Sequence, residues 1–351
     1  MTTRFLLYGA TGFVGAEIAR RAVRQGLQPI VAGRDRERIA APAGELGVEQ
    51  RTFTLDDSAK LDAALREVPV VLHCAGPYVF TSRPMAQGCL RCGTHYLDIT
   101  GEIPVYEALA ARDADARAQN VMLLPGVGFD VVPTDCLALY LKRRLPSATS
   151  LTLAFHSRGR AGLPPGTLNT MLTHLPHGDR VRRDGRLVPP PSENRSRMID
   201  FGRGPVRATM ITWGDVFMAY YSTGIGNITV YTVIPAALRW QLAAMRRVRT
   251  LFRLAAVRSL VRRVVPTGSN PEQRARTSMA VWGEVRDDDG RTASARLHGP
   301  EAGVEWTAGC ALAALRRVLA GEAPVGFQTP AKAYGADFVL ETASVTRQDL
   351  P

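Results

Sequence analysis

The chain has 351 residues, 46% of them hydrophobic, enough for two domains with real cores, and its 44 Lys and Arg against 32 Asp and Glu give a net charge of +12. Only Lys60, Lys142 and Lys332 are lysines, so the charge is almost all guanidinium, and amine-based Schiff-base or acid–base chemistry is confined to those three positions. No apolar run approaches the roughly 18 residues that a membrane span needs, and the N-terminus leads straight into a strand without a secretory leader, so a cytoplasmic protein is expected.

Residues 4 to 15 (Arg-Phe-Leu-Leu-Tyr-Gly-Ala-Thr-Gly-Phe-Val-Gly) run from an apolar strand into Gly9, Gly12 and Gly15 and then into an amphipathic helix carrying Ile18, Ala19, Ala22 and Val23. Glycines at such positions permit the tight turn, the approach of backbone to a pyrophosphate and close helix–strand packing, while free N–H groups and the helix dipole face the anion. The spacing is G-x-x-G-x-x-G rather than the commoner G-x-G-x-x-G. Gly9, Ala10, Thr11, Gly12, Phe13, Val14 and Gly15 are therefore the first expected cofactor contacts.

After Gly26, a second strand over Gln28–Ala32 ends in Gly33-Arg34-Asp35-Arg36, where dinucleotide-binding folds test the adenosine ribose. An arginine directly after the strand suits a 2′-phosphate, so Gly33 and Arg34 point to NADPH/NADP, with Asp35 one position late for a ribose ligand. Further strands are expected at Gln50–Leu55, Pro69–Cys74, His95–Ile99 and Asn120–Leu124, with helices over Lys60–Arg66, Arg83–Gly93 and Glu102–Gln119. Six alternating strands mean an α/β fold of the Rossmann type, a doubly wound parallel sheet, whose ligands lie beyond the carboxyl ends of the strands. The segments to inspect are Cys74–Tyr78, Asp98–Glu102 and Pro125–Asp130. Five scattered cysteines fit a reducing compartment; Cys89 and Cys92 share one helical face without a second pair, so packing is the reading and no metal is expected.

Residues 145–305 change character. Strands are expected at Leu151–Phe155 and Ala208–Thr212, and a hairpin joins Val281–Val285 to Thr292–Leu297. The Pro/Gly/Arg-rich stretch 158–206 holds a helix over Thr167–Leu175 and a turn at Asp184-Gly185. Ala236–Val265 reads as an arginine-rich helix, with Met245, Val248 and Phe252 on one side and Arg246, Arg249 and Arg253 across from them. Such a helix is either a solvated face of the domain or a contact for an anionic membrane surface or an acidic carrier protein. Nucleic acid is disfavoured, because the charge comes with no recognisable binding module.

None of the nine tyrosines has a lysine four residues later, since Tyr96 is followed by Thr100 and Tyr140 by Arg144, which excludes the Tyr-x-x-x-Lys pair of short-chain dehydrogenases. Instead, Tyr8–Gly15, Ala32–Arg34, His73–Tyr78, Cys89–Glu102, Pro125–Asp135 and Gly326–Ala331 through Tyr334-Gly335 resemble the saccharopine dehydrogenase-like oxidoreductases, and within them the trans-acting enoyl reductase branch. The resemblance implies a Rossmann domain over 1–144, an inserted α+β substrate domain over 145–305 and C-terminal elements, 306–351, that return to the Rossmann domain. It also implies NAD(P)H lying over Cys74, Ala75, Gly76, Pro77 and Tyr78 at its nicotinamide half.

Hydride transfer requires stabilisation of the charge that develops on the acceptor. For an enoyl acceptor, Tyr78 and Thr100 are the candidate donors, with water as an equal proton source; for an imine, Asp98, Glu102 or Asp130 would stabilise the cation. Asp98, Thr100 and Asp130 also read as helix caps. Reduction of a conjugated C=C in a small-molecule or carrier-bound acyl substrate is the first reading, and saccharopine-type C=N reduction the second. A non-catalytic nucleotide-binding protein at a lipid surface is the third. A homodimer is among the expected forms, and the location is cytoplasmic, with membrane-peripheral contact as the variant.

Overall fold

Four apolar runs before residue 125, Phe5–Leu7, Val70–Leu72, Tyr96–Leu97 and Met122–Leu124, are fully buried, as strands covered on both faces of a parallel sheet must be. The computed structural model describes residues 3–159, 168, 171–172, 178–191, 195–235, 248–265, 267–268 and 270–351. In chain order the first elements are β1 (Arg4–Tyr8), α1 (Phe13–Arg24), β2 (Gln28–Gly33), α2 (Arg36–Leu46), β3 (Gln50–Thr52), α3 (Ser58–Arg66), β4 (Val70–His73) and α4 (Tyr78–Cys92). They continue with β5 (His95–Asp98), α5 (Ile103–Ala110), α6 (Asp113–Ala118), β6 (Met122–Leu124) and α7 (Val132–Arg144).

The second part contains β7 (Ser150–Arg158), a β8–β9 hairpin (Val181–Arg183, Arg186–Val188), β10 (Ser196–Asp200), β11 (Pro205–Ile211), α8 (Asp215–Thr223) and β12 (Asn227–Thr232). A 3-10 turn (Arg249–Arg253), α9 (Ala255–Val264), α10 (Pro271–Ala275), β13 (Ser278–Arg286) and β14 (Thr292–Gly299) follow. The chain then returns through α11 (Thr307–Leu319), β15 (Gly326–Phe327), α12 (Pro330–Tyr334) and β16 (Thr346–Leu350).

These elements form two units, Met1–Val132 with Gly303–Ala343 and Pro133–Ala302 with Ser344–Pro351. The first holds a seven-stranded sheet in the order β15-β6-β5-β4-β1-β2-β3, and all its pairings are parallel. The order reverses at β1/β4, the switch point at which ligands of such sheets bind. The second holds a mixed sheet along β10-β11-β12-β7-β13-β14-β16, with β8 and β9 attached at β12.

The expected extents 1–144, 145–305 and 306–351 shift accordingly. Most of α7 belongs to the second unit, where Gly283 lets β13 lie against Leu137 and Leu141. The C-terminal stretch also divides: α11 and β15 complete the Rossmann unit, whereas β16 pairs antiparallel with β14.

Local departures have identifiable causes. The helix expected from Arg83 begins earlier, at Tyr78, where Glu102 accepts its first N–H groups, and Pro84 lies inside it. The helix expected over Glu102–Gln119 breaks after Ala110; the Asp113 carboxylate there accepts the Phe327 N–H at 2.7 Å, tying the second half to the returning strand. Only residues 168, 171 and 172 of the expected 167–175 helix are described, and 236–247, with Met245 and Arg246, lie outside the described residues. The remainder of 236–265 is a 3-10 turn followed by α9. Among the described residues no helix is long and apolar enough to cross a membrane.

Gly159 directly follows β7 at φ +142°, and a Cβ there would lie 2.8 Å from the Cα of Thr277. Both the backbone conformation and the contact exclude a side chain, so Gly159→Ala is expected to destabilise the protein by more than about 1 kcal/mol, read as a lower thermal midpoint.

Candidate cofactor site

Three strands end side by side because Tyr8 pairs with Ala32 on one side and with His73 on the other. The loops that open at Gly9, Gly33 and Cys74 therefore leave one edge of the sheet together. Backbone alone fastens them: the Gly9 N–H donates to Ala32 O at 2.8 Å, Cys74 N–H to Tyr8 O at 2.7 Å and Gly12 N–H to Gly9 O at 3.0 Å.

A Cβ on Gly9, whose φ is +96°, would stand 2.7 Å from the nitrogen of Ala75, and one on Gly15 would collide with the Gly9 carbonyl. Side chains are thus excluded where the first turn crosses the end of β4. Ala10 and Gly15 are buried, Thr11 and Val14 half-buried, and Phe13 exposed. Gly12 is the N-cap of α1 and has no side chain with which to close that helix, so the positive end of the helix dipole faces the turn. This cradle fits a dinucleotide pyrophosphate.

At the end of β2, Gly33 is buried against Ile39, and Arg34 is exposed without an ion pair to any described residue. Asp35 caps α2 by accepting the Arg38 N–H at 3.1 Å, so its carboxylate is engaged in the helix.

The β4 edge is built differently. The Gly76-Pro77 peptide is cis, and α4 starts directly after it at Tyr78. Its N-terminus is closed by a carboxylate of the same unit: Glu102, fully buried, accepts the N–H groups of Tyr78 at 3.1 Å and Val79 at 2.7 Å. Thr81 donates to Ala75 O at 2.7 Å and lies 3.0 Å from His73 Nε2, which therefore carries the proton. Burial lowers the His73 imidazole to about 3, so it stays neutral, with the Tyr78 ring standing edge-on at 5.4 Å.

Burial also raises the Cys74 thiol and the Tyr78 phenol, the latter further through Cys74, Asp98, Glu102 and Asp130, so both remain protonated. The Tyr78 hydroxyl donates to no described residue, which leaves it available to a ligand.

The expected residues of the β5 and β6 edges have separate tasks. Asp98 joins the two loops by accepting from Tyr96 Oη at 2.5 Å, Thr100 N at 2.9 Å and Gly126 N at 2.9 Å; burial outweighs those bonds and pushes its carboxyl up to about 7. Thr100 is fully buried, and its hydroxyl accepts the Glu102 N–H at 3.1 Å, the turn-forming bond expected of a cap. Asp130 lies against Gly101, where a Cβ would approach its Oδ2 to 2.7 Å, and burial followed by Glu102 raises its carboxyl to about 7. Glu102 as the cap of α4 had no local signal, because its partners lie 24 and 23 residues away in sequence.

Fold and edge together define a dinucleotide-binding domain. Residues 5–124 match the model for the saccharopine dehydrogenase NADP binding domain. That span lies within the first unit, which is therefore an NADP-binding domain of the saccharopine dehydrogenase kind.

The human saccharopine dehydrogenase-like oxidoreductase is 27% identical over 181 residues, covering 45% of this chain and 42% of that protein. The trans-acting enoyl reductase of Mycobacterium leprae is 32% identical over 148 residues, covering 40% and 35%. This chain therefore matches less than half the length of either relative. In fold it is similar to apo saccharopine dehydrogenase (L-Glu forming) from Saccharomyces cerevisiae, with a TM-score of 0.69 at 12% identity over 99% of this chain and 100% of that one.

The raised Asp130 carboxyl has a consequence for stability. A folded value of about 7 against about 4 unfolded means that the native state binds the extra proton between those values, so this contribution is full below about pH 4 and is lost as pH rises through 7. Asp130→Asn should gain on the wild type in thermal midpoint as pH is raised from 4 to about 7. Parallel curves for the two proteins would contradict it.

Proposed function

We propose that the chain is an NADPH-dependent reductase acting on a conjugated C=C of an acyl substrate, either a small molecule or one held on a carrier. The observation that carries the reading is the presence, in one unit, of a helix opening from a glycine turn, an un-ionised Tyr78 and a carboxyl near neutrality at Asp130. The name of the mycobacterial relative supports the choice of an enoyl acceptor.

Gly9–Gly15 would hold the pyrophosphate of NADPH, Arg34 would meet its 2′-phosphate and Cys74–Tyr78 its nicotinamide half; the bound coenzyme would supply the hydride. Tyr78 then offers a hydrogen bond to the acyl oxygen as negative charge develops, a role its protonated phenol fills at any ordinary pH. Asp130, its carboxyl raised to about 7, is partly protonated at neutral pH and can donate that proton to the α-carbon. Thr100, buried and bonded to Glu102, positions the loop rather than meeting substrate.

The clustering of Asp98, Glu102 and Asp130 favours a second reading, reduction of a cationic C=N. Two of the three have raised values that oppose full charge, and Glu102 is already engaged with α4, which weighs toward the enoyl acceptor.

Incubation with NADPH and an enoyl thioester should consume the reduced nicotinamide absorbance. Consumption only with an amine and an oxo acid would select the C=N reading, and coenzyme binding without turnover over a broad panel would select a non-catalytic protein. Arg34→Ala should weaken NADPH roughly tenfold or more while leaving NADH little changed, because the lost contact is a charge-assisted one to the 2′-phosphate. Equal losses for the two coenzymes would show that Arg34 does not read that phosphate.

A further inference from the structure

The second unit gathers unpaired positive charge at one corner of its sheet. Strand register places His156 of β7, Ala280 of β13 and His298 of β14 side by side; Arg158 lies across from Ser278 and Arg296 across from Trp282. By the alternation of strand side chains these share one face, and small Ala280 leaves room between the two imidazoles.

The turn after β10 folds onto the same place. Arg158 Nη2 donates to Phe201 O at 2.8 Å, the Phe201 ring stands 5.4 Å from that of His156, and a Cβ on Gly202 would be 3.0 Å from Arg296 Nη1 and 3.5 Å from His298 Cε1. Arg203 follows on this turn. Asp200 is the acid of the corner, and its Oδ1 already accepts the N–H groups of Gly202 at 2.6 Å, Arg203 at 3.1 Å and Gly204 at 3.1 Å.

Among the described residues no carboxylate reaches ion-pair distance of Arg158, Arg203 or Arg296. The three repel one another: burial and then Arg203 and Arg296 hold Arg158 below its ordinary value, and burial with the same three arginines lowers His298. Burial and Arg158 lower His156, whose buried Nδ1 has no hydrogen-bond partner. Among the described residues Asp200 is the one carboxylate that acts on this group, felt by Arg158 and Arg296, and three converged guanidiniums with a single counter-charge raise the energy of the folded state unless a further anion joins them.

We propose that Arg158, Arg203 and Arg296, with His156 and His298 beside them, form a binding site for a phosphate group. Three guanidinium forks from different segments suit a group with several charged oxygens, whereas a lone carboxylate is satisfied by one. Two sources share this chemistry, free inorganic phosphate and the phosphate of a pantetheine-type acyl carrier; the choice of carrier probe rests on the acyl reading above, and the site itself does not.

The test is calorimetric titration of the full chain, without NADP⁺, using inorganic phosphate, coenzyme A and phosphate-free pantetheine. Coenzyme A should bind and pantetheine should not. The double variant Arg158→Gln/Arg296→Gln should bind coenzyme A at least tenfold more weakly, and Arg158→Lys/Arg296→Lys should recover part of the loss. Binding of inorganic phosphate alone, lost in the glutamine variant, supports the site and identifies the free anion as its source.

Should the glutamine variant fail to fold, the wild type still decides: either anion should raise the titration midpoint of His298, followed by its ring resonances. No heat and no His298 shift with either anion, or coenzyme A affinity unchanged in a folded glutamine variant, overturns the proposal. Because no hydride transfer is measured, failure here is distinct from failure of the reductase reading.

Discussion

The approach of backbone to backbone at Gly9 is the constraint on which the first unit depends. The turn after β1 crosses the end of β4 so closely that neither Gly9 nor Gly15 has room for a side chain, and the crossing brings two helix N-termini, those of α1 and α4, to one edge of the sheet. The two ends are then treated oppositely. Glu102 fills the N-terminus of α4 with a carboxylate from the protein itself, while the N-cap of α1 is Gly12, which has no side chain to offer. An external anion is thus directed to the glycine turn and away from the start of α4.

Burial keeps the groups next to that edge uncharged. His73 is held neutral, Cys74 and Tyr78 stay protonated, and the carboxyls of Asp98 and Asp130 are displaced toward neutrality. Such surroundings offer hydrogen-bond donors and a transferable proton instead of a fixed charge. On the proposed enoyl reading, negative charge would appear on the acceptor only during reaction, where such donors are worth most.

The parts of this arrangement visible in the sequence are those coded by neighbours. The glycine spacing from Gly9 to Gly15, the alternation of apolar runs with helical segments, and Arg34 directly after β2 all report local requirements of turn, strand and helix. What stayed hidden depends on partners distant in sequence. The start of α4 at Tyr78 is set by Glu102, the break before α6 by Phe327 through Asp113, and the path of the final strand by β14. The arginine corner of the second unit was illegible for the same reason: Arg158, Arg203 and Arg296 are three among many arginines until the register of β7, β13 and β14 and the turn at Gly202 bring them together.

The central claim is that the turn after β1, pressed on the end of β4, holds the phosphates of NADP(H). Amide hydrogen exchange, resolved by residue with and without NADP⁺, addresses it most directly, because the proposed contacts are backbone N–H groups. Slowed exchange should concentrate in residues 9–16 and 74–79 and spare the second sheet. Binding of NADP⁺ that leaves exchange in the first of these segments unchanged would contradict the account.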